Sequence, residues 1–198
     1  MISITGSNPR EIERFKAEMK AKFKMSDLGL LSYLGIEVNQ EKDKITLSQS
    51  AYAAKILIAG GMQGCNPCTV LMEPRFKLSK DSSAPATDAT LYRSIVGSLR
   101  YLTHTRPDIS FAVGYVSRFM EAPTTEHFAA VKRILRYLAG TLSYGLHYKK
   151  GEEKKNTKLV GYTDSDMAGD IDTCKSTSGC IVFLGSCPIT ASCGTLLM

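Results

Sequence analysis

The sequence has no apolar run that approaches the roughly 18 residues of a membrane-spanning helix. Its opening residues, MISITGSNPR, also lack the basic segment and following apolar segment that define a secretory signal peptide. We therefore expect neither secretion nor a membrane partner. The sequence predicts an intracellular protein, cytoplasmic or nuclear.

The sequence also offers little for a zinc site or a hydrolase triad. Cys65 and Cys68 have C-x-x-C spacing, but no second pair of cysteines or histidines follows to complete four zinc ligands. His104, His127 and His147 are scattered, without a nucleophile at a characteristic spacing. The six cysteines are expected to be reduced thiols.

What the sequence does contain is an ordinary globular composition with a basic excess. The 198 residues are 43% hydrophobic and 22% charged, which suffices for a buried core. Lys and Arg number 25 against 19 Asp and Glu, a formal charge of +6. Such an excess is compatible with nucleic-acid binding, because cations that neutralise phosphates release counterions. A mildly basic surface without such a partner is the alternative.

The N-terminal part of the chain predicts a helix, a hairpin and a second helix. Apolar residues recur at helical spacing over 9–25, behind Asn8 as the capping residue. The runs YLGIEVNQ and KITLSQS, joined by EKDK, predict a hairpin. The second helix starts at Ser50 and ends at Gly60, and residues 73–87, rich in Pro, Ser, Thr and Asp, predict a linker.

Three helical patterns follow, and then strands. The first pattern is capped by Asp88 and the third by Thr125. The third helix places Lys132 and Arg136, four residues apart, opposite its apolar stripe. After a charged linker at 149–158, the runs LVGYTDSD, GCIVFLG and CPITASC predict three strands.

Three aspartates, Asp164, Asp166 and Asp170, lie at the end of the first of these strands. Carboxylates at such a position could hold Mg²⁺, a hard cation that takes oxygen ligands. The alternative is that clustered aspartates cap and solvate a junction between a strand and a turn. From the residues alone, the alternative is favoured.

Six segments, in this order, resemble an internal piece of a Ty1/copia-type retrotransposon polyprotein: ITGSN, FKMSDLGLLSYLGIEV, ITLSQSAYAAKIL, YRSIVGSLRYLTHTRPDISFAV, SRFMEAPTTEHFAAVKRILRYLAGT, and LVGYTDSDMAGD with KSTSGCIVFLG. Together they cover nearly the whole chain. The resemblance implies the C-terminal part of a reverse transcriptase, after its Tyr-x-Asp-Asp motif, and the N-terminal strands of its RNase H domain.

The resemblance implies nucleic-acid contacts in two places. The hairpin around Tyr33, Leu34 and Gly35 resembles the primer grip, which positions the primer terminus. Residues 88–140 resemble thumb and connection helices that could lie along an RNA–DNA hybrid or another duplex. The basic face of these helices is formed by Lys132, Arg133 and Arg136, for which a merely solvated face is an equal alternative.

In the RNase H part, the resemblance aligns Asp164 with the first-strand carboxylate that binds two Mg²⁺ ions in the intact family. The tail CPITASCGTLLM departs from the family pattern, and Met167 stands where Trp is usual. We therefore expect Asp164 to be a vestigial metal ligand that needs partners absent from these residues. No complete catalytic set and no cofactor are expected for the isolated chain.

We predict an α+β fold in three parts. A truncated reverse-transcriptase palm (helix–hairpin–helix) spans 1–72, thumb and connection helices span 88–148, and a partial RNase H-like antiparallel sheet spans 159–198, with linkers at 73–87 and 149–158. The leading hypothesis is a fragment that is catalytically inactive as an isolated chain. The alternatives are a non-catalytic nucleic-acid-binding module and a piece that docks onto a full-length reverse transcriptase.

Overall fold

The computed structural model describes residues 8–25, 32–73, 77–150 and 158–195. Within these ranges the chain is a mixture of five α-helices and two small antiparallel sheets. The helices are α1 (Pro9–Lys22), α2 (Ser50–Ala59), α3 (Ala89–Leu102), α4 (Ser110–Val116) and α5 (Thr125–Gly140). The strands are β1 (Ser32–Tyr33), β2 (Ile36–Gln40), β3 (Lys44–Ser48), β4 (Gly145–Lys149), β5 (Leu159–Ser165), β6 (Thr177–Leu184) and β7 (Cys187–Thr195).

The core is a single cluster built from four of the helices. Its most deeply buried aliphatic side chains include Ile95 and Leu99 of α3, Val113 of α4 and Leu135 of α5, each exposed by 1% or less. Ile56 of α2 belongs to the same cluster. α1 contributes no buried residue. Of the two helices that the sequence assigns to a palm remnant, α2 therefore shares a core with the helices assigned to the thumb, whereas α1 does not.

Side-chain caps explain where two of these helices begin. The Asp88 carboxylate accepts hydrogen bonds from the backbone N–H of Thr90 and Leu91, at 2.8 and 3.1 Å, as predicted for α3. For α5 the predicted cap at Thr125 is wrong by one residue. Thr124 is the capping residue, and its backbone N–H donates to Nδ1 of His127 at 2.9 Å to form a capping box.

The first sheet has the strand order β1-β2-β3-β4, with every pair antiparallel. The hairpin of β2 and β3 was predicted, but β4 was not. β4 follows α5 and returns to pair with β3, so that Thr46 lies opposite His147. A Cβ atom at Gly145 would collide with the carbonyl oxygen of Leu47, so the close approach of these two strands requires glycine there.

The described residues between α2 and α3, 60–73 and 77–88, form no helix and no strand, but several of them pack against the helices. Leu78 is only 4% exposed, and its backbone N–H donates to the Tyr115 hydroxyl at 2.9 Å. Ala86 forms an isolated antiparallel bridge with Thr124. The division of the chain into separate domains stays a prediction.

The second sheet consists of β5, β6 and β7 in that order, all antiparallel. These are the three strands that the sequence predicts after 158. All seven residues of β5 are exposed, whereas β7 contacts both α4 and β4. In the described part of the chain, no helix combines the length and the hydrophobicity needed to cross a membrane.

Candidate nucleic-acid interface

The tip of the β1–β2 hairpin is a two-residue turn at Leu34 and Gly35. Both residues have positive φ, 50° and 79°, which matches the twist of the flanking strands. Leucine rarely adopts this conformation, and the Leu34 side chain is 61% exposed. The Tyr101 hydroxyl of α3 donates to the Leu34 carbonyl, which fixes the tip against that helix.

The base of the hairpin is attached to α2 by Glu37. Its carboxylate accepts from the backbone N–H of Ala51 at 2.9 Å and from the Ser48 hydroxyl at 3.3 Å. Gln49, at the N-cap position of α2, makes no side-chain cap, so Glu37 supplies the missing acceptor. A negative charge at a helix N-terminus is also favourable to the helix dipole. The hairpin is thus held at both its base and its tip.

An open groove of about 720 Å³ lies beside the hairpin tip, between α3, α4 and β7. It is lined by Gly97, Arg100, Tyr101, Val113, Gly114 and Cys193, together with His104 and hydroxyl-bearing residues. No carboxylate is among the described residues that line it. The groove therefore presents a cation, N–H and O–H donors, and backbone.

Arg100 is the principal positive group of this groove. Its side chain is exposed, and it forms no ion pair or hydrogen bond with any described residue. A guanidinium has five N–H donors that match phosphate geometry. Cys193, on the other wall, stays a neutral thiol near neutral pH, because burial raises the pKa of this thiol. The groove can therefore accept an anion without an opposing negative charge.

Two glycines keep the groove open. A Cβ atom at Gly97 in α3 or at Gly114 in α4 would meet no other atom within 4 Å. Glycine in a helix interior is about 0.8–1.0 kcal/mol less favourable than alanine. Packing within the described chain does not require glycine at either position. What glycine does there is to leave the helix backbones accessible from the groove.

The three basic residues predicted on α5 lie elsewhere, and two of them have partners within the chain. Arg133 forms an ion pair of 2.6 Å with Glu73 and donates to the Val70 carbonyl at 3.1 Å. Arg136 donates to the Asn66 carbonyl at 2.8 Å. These bonds hold residues 66–73 against α5. The ammonium of Lys132, which is exposed, lies 5.1 Å from the centre of the Phe128 ring.

The aspartates of the second sheet do not converge. Asp164 is exposed on β5, opposite Gly179. The Asp166 carboxylate accepts from the backbone N–H of Thr177 and Gly169, at 2.9 and 3.2 Å. Among the described residues, no group of three or more His, Cys, Asp or Glu side chains is placed to hold a metal ion. The residues around Asp164 therefore do not fit the two-metal site that the resemblance implies.

Asp170 is instead bound into the loop between β5 and β6. Partial burial raises the pKa of this carboxyl, but hydrogen bonds from Thr173 and from the Asp172 backbone, with the charge of Arg118, outweigh burial. The net pKa is below the ordinary aspartate value. Its Oδ2 accepts from the Thr173 hydroxyl at 2.7 Å and lies 3.7 Å from Nη1 of Arg118. The capping role weighed for these aspartates thus describes Asp166 and Asp170.

Sequence reasoning missed the groove, although a signal for it was present. Gly97, Arg100, Tyr101 and His104 recur at positions i, i+3, i+4 and i+7, which places them on one side of α3 and its C-terminal extension. That side is the one opposite the apolar stripe used to predict the helix. This pattern on α3 could not be recognised as a groove from the sequence, because the other walls come from α4 and β7.

The family match and the similar proteins found by comparison agree with one another. The family described as "Reverse transcriptase (RNA-dependent DNA polymerase)" matches residues 1–74. A retrovirus-related Pol polyprotein from transposon RE1 of Arabidopsis thaliana is 45% identical over 96% of this chain. A polyprotein from transposon TNT 1-94 of Nicotiana tabacum is 39% identical over 89% of it. No solved structure matches the chain.

The family match over residues 1–74 and these relatives define a protein of reverse-transcriptase type. The chain belongs to the reverse-transcriptase family of Ty1/copia-type retrotransposon polyproteins. It spans 13% of the RE1 polyprotein and 14% of the TNT 1-94 polyprotein. A relative of comparable length also exists, since an uncharacterized mitochondrial protein of Arabidopsis thaliana is 40% identical over 93% of this chain and 75% of its own length.

Proposed function

We propose that the chain binds an RNA–DNA hybrid or a similar duplex in the groove between α3, α4 and β7, as a non-catalytic part of reverse-transcriptase machinery. The observation that carries the proposal is the groove itself, in which Arg100 has no side-chain partner, and the lining no carboxylate, among the residues that the structure describes. A polyanionic backbone is the ligand that such a lining favours, because each neutralised phosphate releases counterions.

The shape of the groove supports a backbone contact over base recognition. Gly97 and Gly114 leave two helix backbones bare, so a sugar–phosphate chain can approach them closely. Guanidinium and hydroxyl donors of the kind found there contact phosphates and sugars without reading sequence. The proposed binding is therefore independent of base sequence.

The position of the hairpin tip supports a second contact, between the tip and one strand of the bound duplex. Leu34 protrudes beside the groove and is anchored to α3 by Tyr101, which itself lines the groove. The strained φ of Leu34 is a feature often found at positions that contact ligands. The tip is thus positioned to contact a strand that lies in the groove, in the manner that the primer-grip resemblance implies.

We further propose that these 198 residues alone neither polymerise nucleotides nor cleave RNA. The sequence contains no pair of adjacent aspartates. Asp166 and Asp170 are committed to hydrogen bonds within their own loop, which leaves Asp164 without convergent ligands among the described residues. Incubation of an RNA–DNA hybrid with the chain and Mg²⁺ tests this statement. Cleavage that disappears in Asp164→Asn would contradict it.

The binding proposal is tested by the salt dependence of affinity for a fluorescently labelled RNA–DNA hybrid. Replacement of Arg100 by Gln is expected to reduce the slope of log affinity against log salt by about 1, the effect of one lost phosphate contact. Lys55→Gln is the matched control, because Lys55 is an exposed cation of α2 outside the groove lining. It removes the same charge and is expected to leave the slope nearly unchanged.

Lys132→Gln distinguishes the groove from the basic face of α5. If the duplex lies in the groove alone, this variant behaves like the Lys55 control. If Lys132→Gln reduces the salt slope while Arg100→Gln does not, the duplex lies along α5 and the groove proposal is wrong. Docking onto a full-length reverse transcriptase stays a prediction, for which co-purification with the intact polyprotein is the measurement.

A further inference from the structure

A smaller pocket opens from the groove at the junction of α4 with β6 and β7. It has a volume of about 180 Å³ and shares Gly114, Ser117 and Cys193 with the groove. Pockets for whole drug-sized ligands occupy about 300–1,000 Å³. This pocket therefore has room for one small ring system that enters from the groove.

One wall of the pocket is a row of flat groups along one side of α4. The rings of Phe111 and Tyr115 are nearly parallel, at 18°, with centres 6.3 Å apart. The guanidinium of Arg118 lies 5.2 Å from the centre of the Tyr115 ring. Phe111 is 52% exposed, so part of its ring faces the solvent at the mouth of the pocket.

Two members of this row, Tyr115 and Arg118, are held in place by hydrogen bonds. The Tyr115 hydroxyl accepts from the backbone N–H of Leu78 at 2.9 Å. Arg118 donates to the Thr177 hydroxyl at 2.6 Å and pairs with Asp170 at 3.7 Å. Because Tyr115 and Arg118 are already fixed beside Phe111, little entropy is lost in ordering these two groups when a ring enters the pocket.

We propose that this pocket binds one unpaired base of a single strand that leaves the duplex in the groove. Exposed aromatic rings beside a positively charged track are the means by which proteins bind single-stranded nucleic acid, because every base has a face that can stack. A base within a duplex is already stacked on both sides, so the pocket selects a base next to the duplex end. The inference rests on the proposed function, since the groove delivers the strand.

The test compares three labelled probes by fluorescence anisotropy with the full chain. The first is a blunt RNA–DNA hybrid, the second carries a single-stranded overhang, and the third carries the same overhang with abasic sites in place of its bases. Each of the two overhang probes is made in separate versions that carry the overhang at one strand end or at the other. For the wild type we expect tighter binding of the overhang probe than of the blunt or abasic probe. The difference between the overhang and abasic probes isolates stacking from phosphate charge.

Phe111→Ala is expected to weaken binding of the overhang probe about tenfold, the order expected from the loss of one base–aromatic stack, and to leave the blunt and abasic probes nearly unchanged. Phe23→Ala is the matched control, because Phe23 is a similarly exposed ring, at 56%, outside the pocket. Phe111→Tyr retains the ring and should retain the preference for the overhang.

The outcomes separate the two proposals. If the blunt hybrid does not bind to the wild type, the proposed function fails. If the blunt hybrid binds but the overhang adds no affinity, or if Phe111→Ala weakens all three probes equally, the groove function stands and the base pocket is wrong. Equal binding of the base-bearing and abasic overhangs would likewise overturn the pocket, because only phosphates would then be recognised.

Discussion

Gly97 provides a test in which stability and binding are expected to change in opposite directions. The residue lies in the interior of α3, is exposed, and lines the groove. A Cβ atom there meets nothing within 4 Å, so Gly97→Ala introduces no collision within the chain. Alanine is favoured over glycine in a helix interior by about 0.8–1.0 kcal/mol. We therefore expect Gly97→Ala to be more stable than the wild type.

The size of the expected change follows from chain length. For a protein of 150–250 residues, 1 kcal/mol corresponds to a shift of about 2–4 °C in Tm. Gly97→Ala should therefore raise Tm by about 2–4 °C in a melt followed by circular dichroism. Gly97→Leu should raise Tm by a similar amount, because leucine is also a good helix former and position 97 faces the open groove.

The effect of Gly97→Leu on binding is expected to be unfavourable. If a duplex backbone approaches α3 at Gly97, a leucine side chain occupies the same space, and forcing extra methylenes into a filled site costs about 1–3 kcal/mol. That cost corresponds to a loss of affinity of about 5-fold to 150-fold. Ser94→Leu is the matched control, since Ser94 is an exposed residue of α3 outside the groove lining. Wild-type affinity in Gly97→Leu would refute the close approach, and a lower Tm in Gly97→Ala would refute the open space.

Three further predictions concern the folded state. Asp108→Asn should destabilise the chain by about 1–3 kcal/mol in denaturant unfolding, because Arg106, whose side chain is 2% exposed, loses the charged partner that it contacts at 2.7 and 2.9 Å but keeps its hydrogen bonds to Thr141; unchanged stability would contradict this. His127→Ala should lower Tm by removing both the capping box and the 3.0 Å bond to the Ser79 carbonyl, and His127→Gln should recover part of the loss because glutamine can complete a capping box. Since the folded pKa of Asp170 is lowered, its stabilisation is present above the ordinary aspartate value of about 3.9 and is lost as pH falls through the folded pKa. Asp170→Asn should therefore be less stable than the wild type at pH 6, with a smaller difference at pH 3.

The sequence predicts local elements well because their signals are local. Asn8 and Asp88 cap their helices as predicted, and the hairpin of β2 and β3 forms where two runs of strand-forming residues flank a polar turn. The same local rules misplace the cap of α5. A Thr-Thr pair offers two similar capping residues, and the choice of Thr124 depends on His127, which is buried by contacts from other elements.

The elements that were missed depend on contacts between distant residues. β4 is only five residues long and has no turn that joins it to β3, so its pairing across about 100 residues leaves no local pattern. Leu34 is not a residue that predicts a left-handed turn, and its conformation is supported by Tyr101, which is far away in sequence. The groove is harder still to predict from local patterns, because its walls come from three separate elements, α3, α4 and β7.

The pairing of β3 with β4 also helps to fix the position of the β1–β2 hairpin relative to the groove. β4 is the continuation of α5, and α5 packs against α2 and α4, so the helical core lies between the two strands in sequence and beside them in space. The β1–β2 hairpin is therefore held in three ways: β2 pairs with β3, which β4 pairs in turn; Glu37 of β2 binds the N-terminus of α2; and Tyr101 of α3 binds the tip. Three attachments to one core leave the tip little freedom to move relative to the groove. A rigid spacing between the tip and the groove is the property that a device for positioning a strand end requires, because binding energy then need not be spent on ordering it.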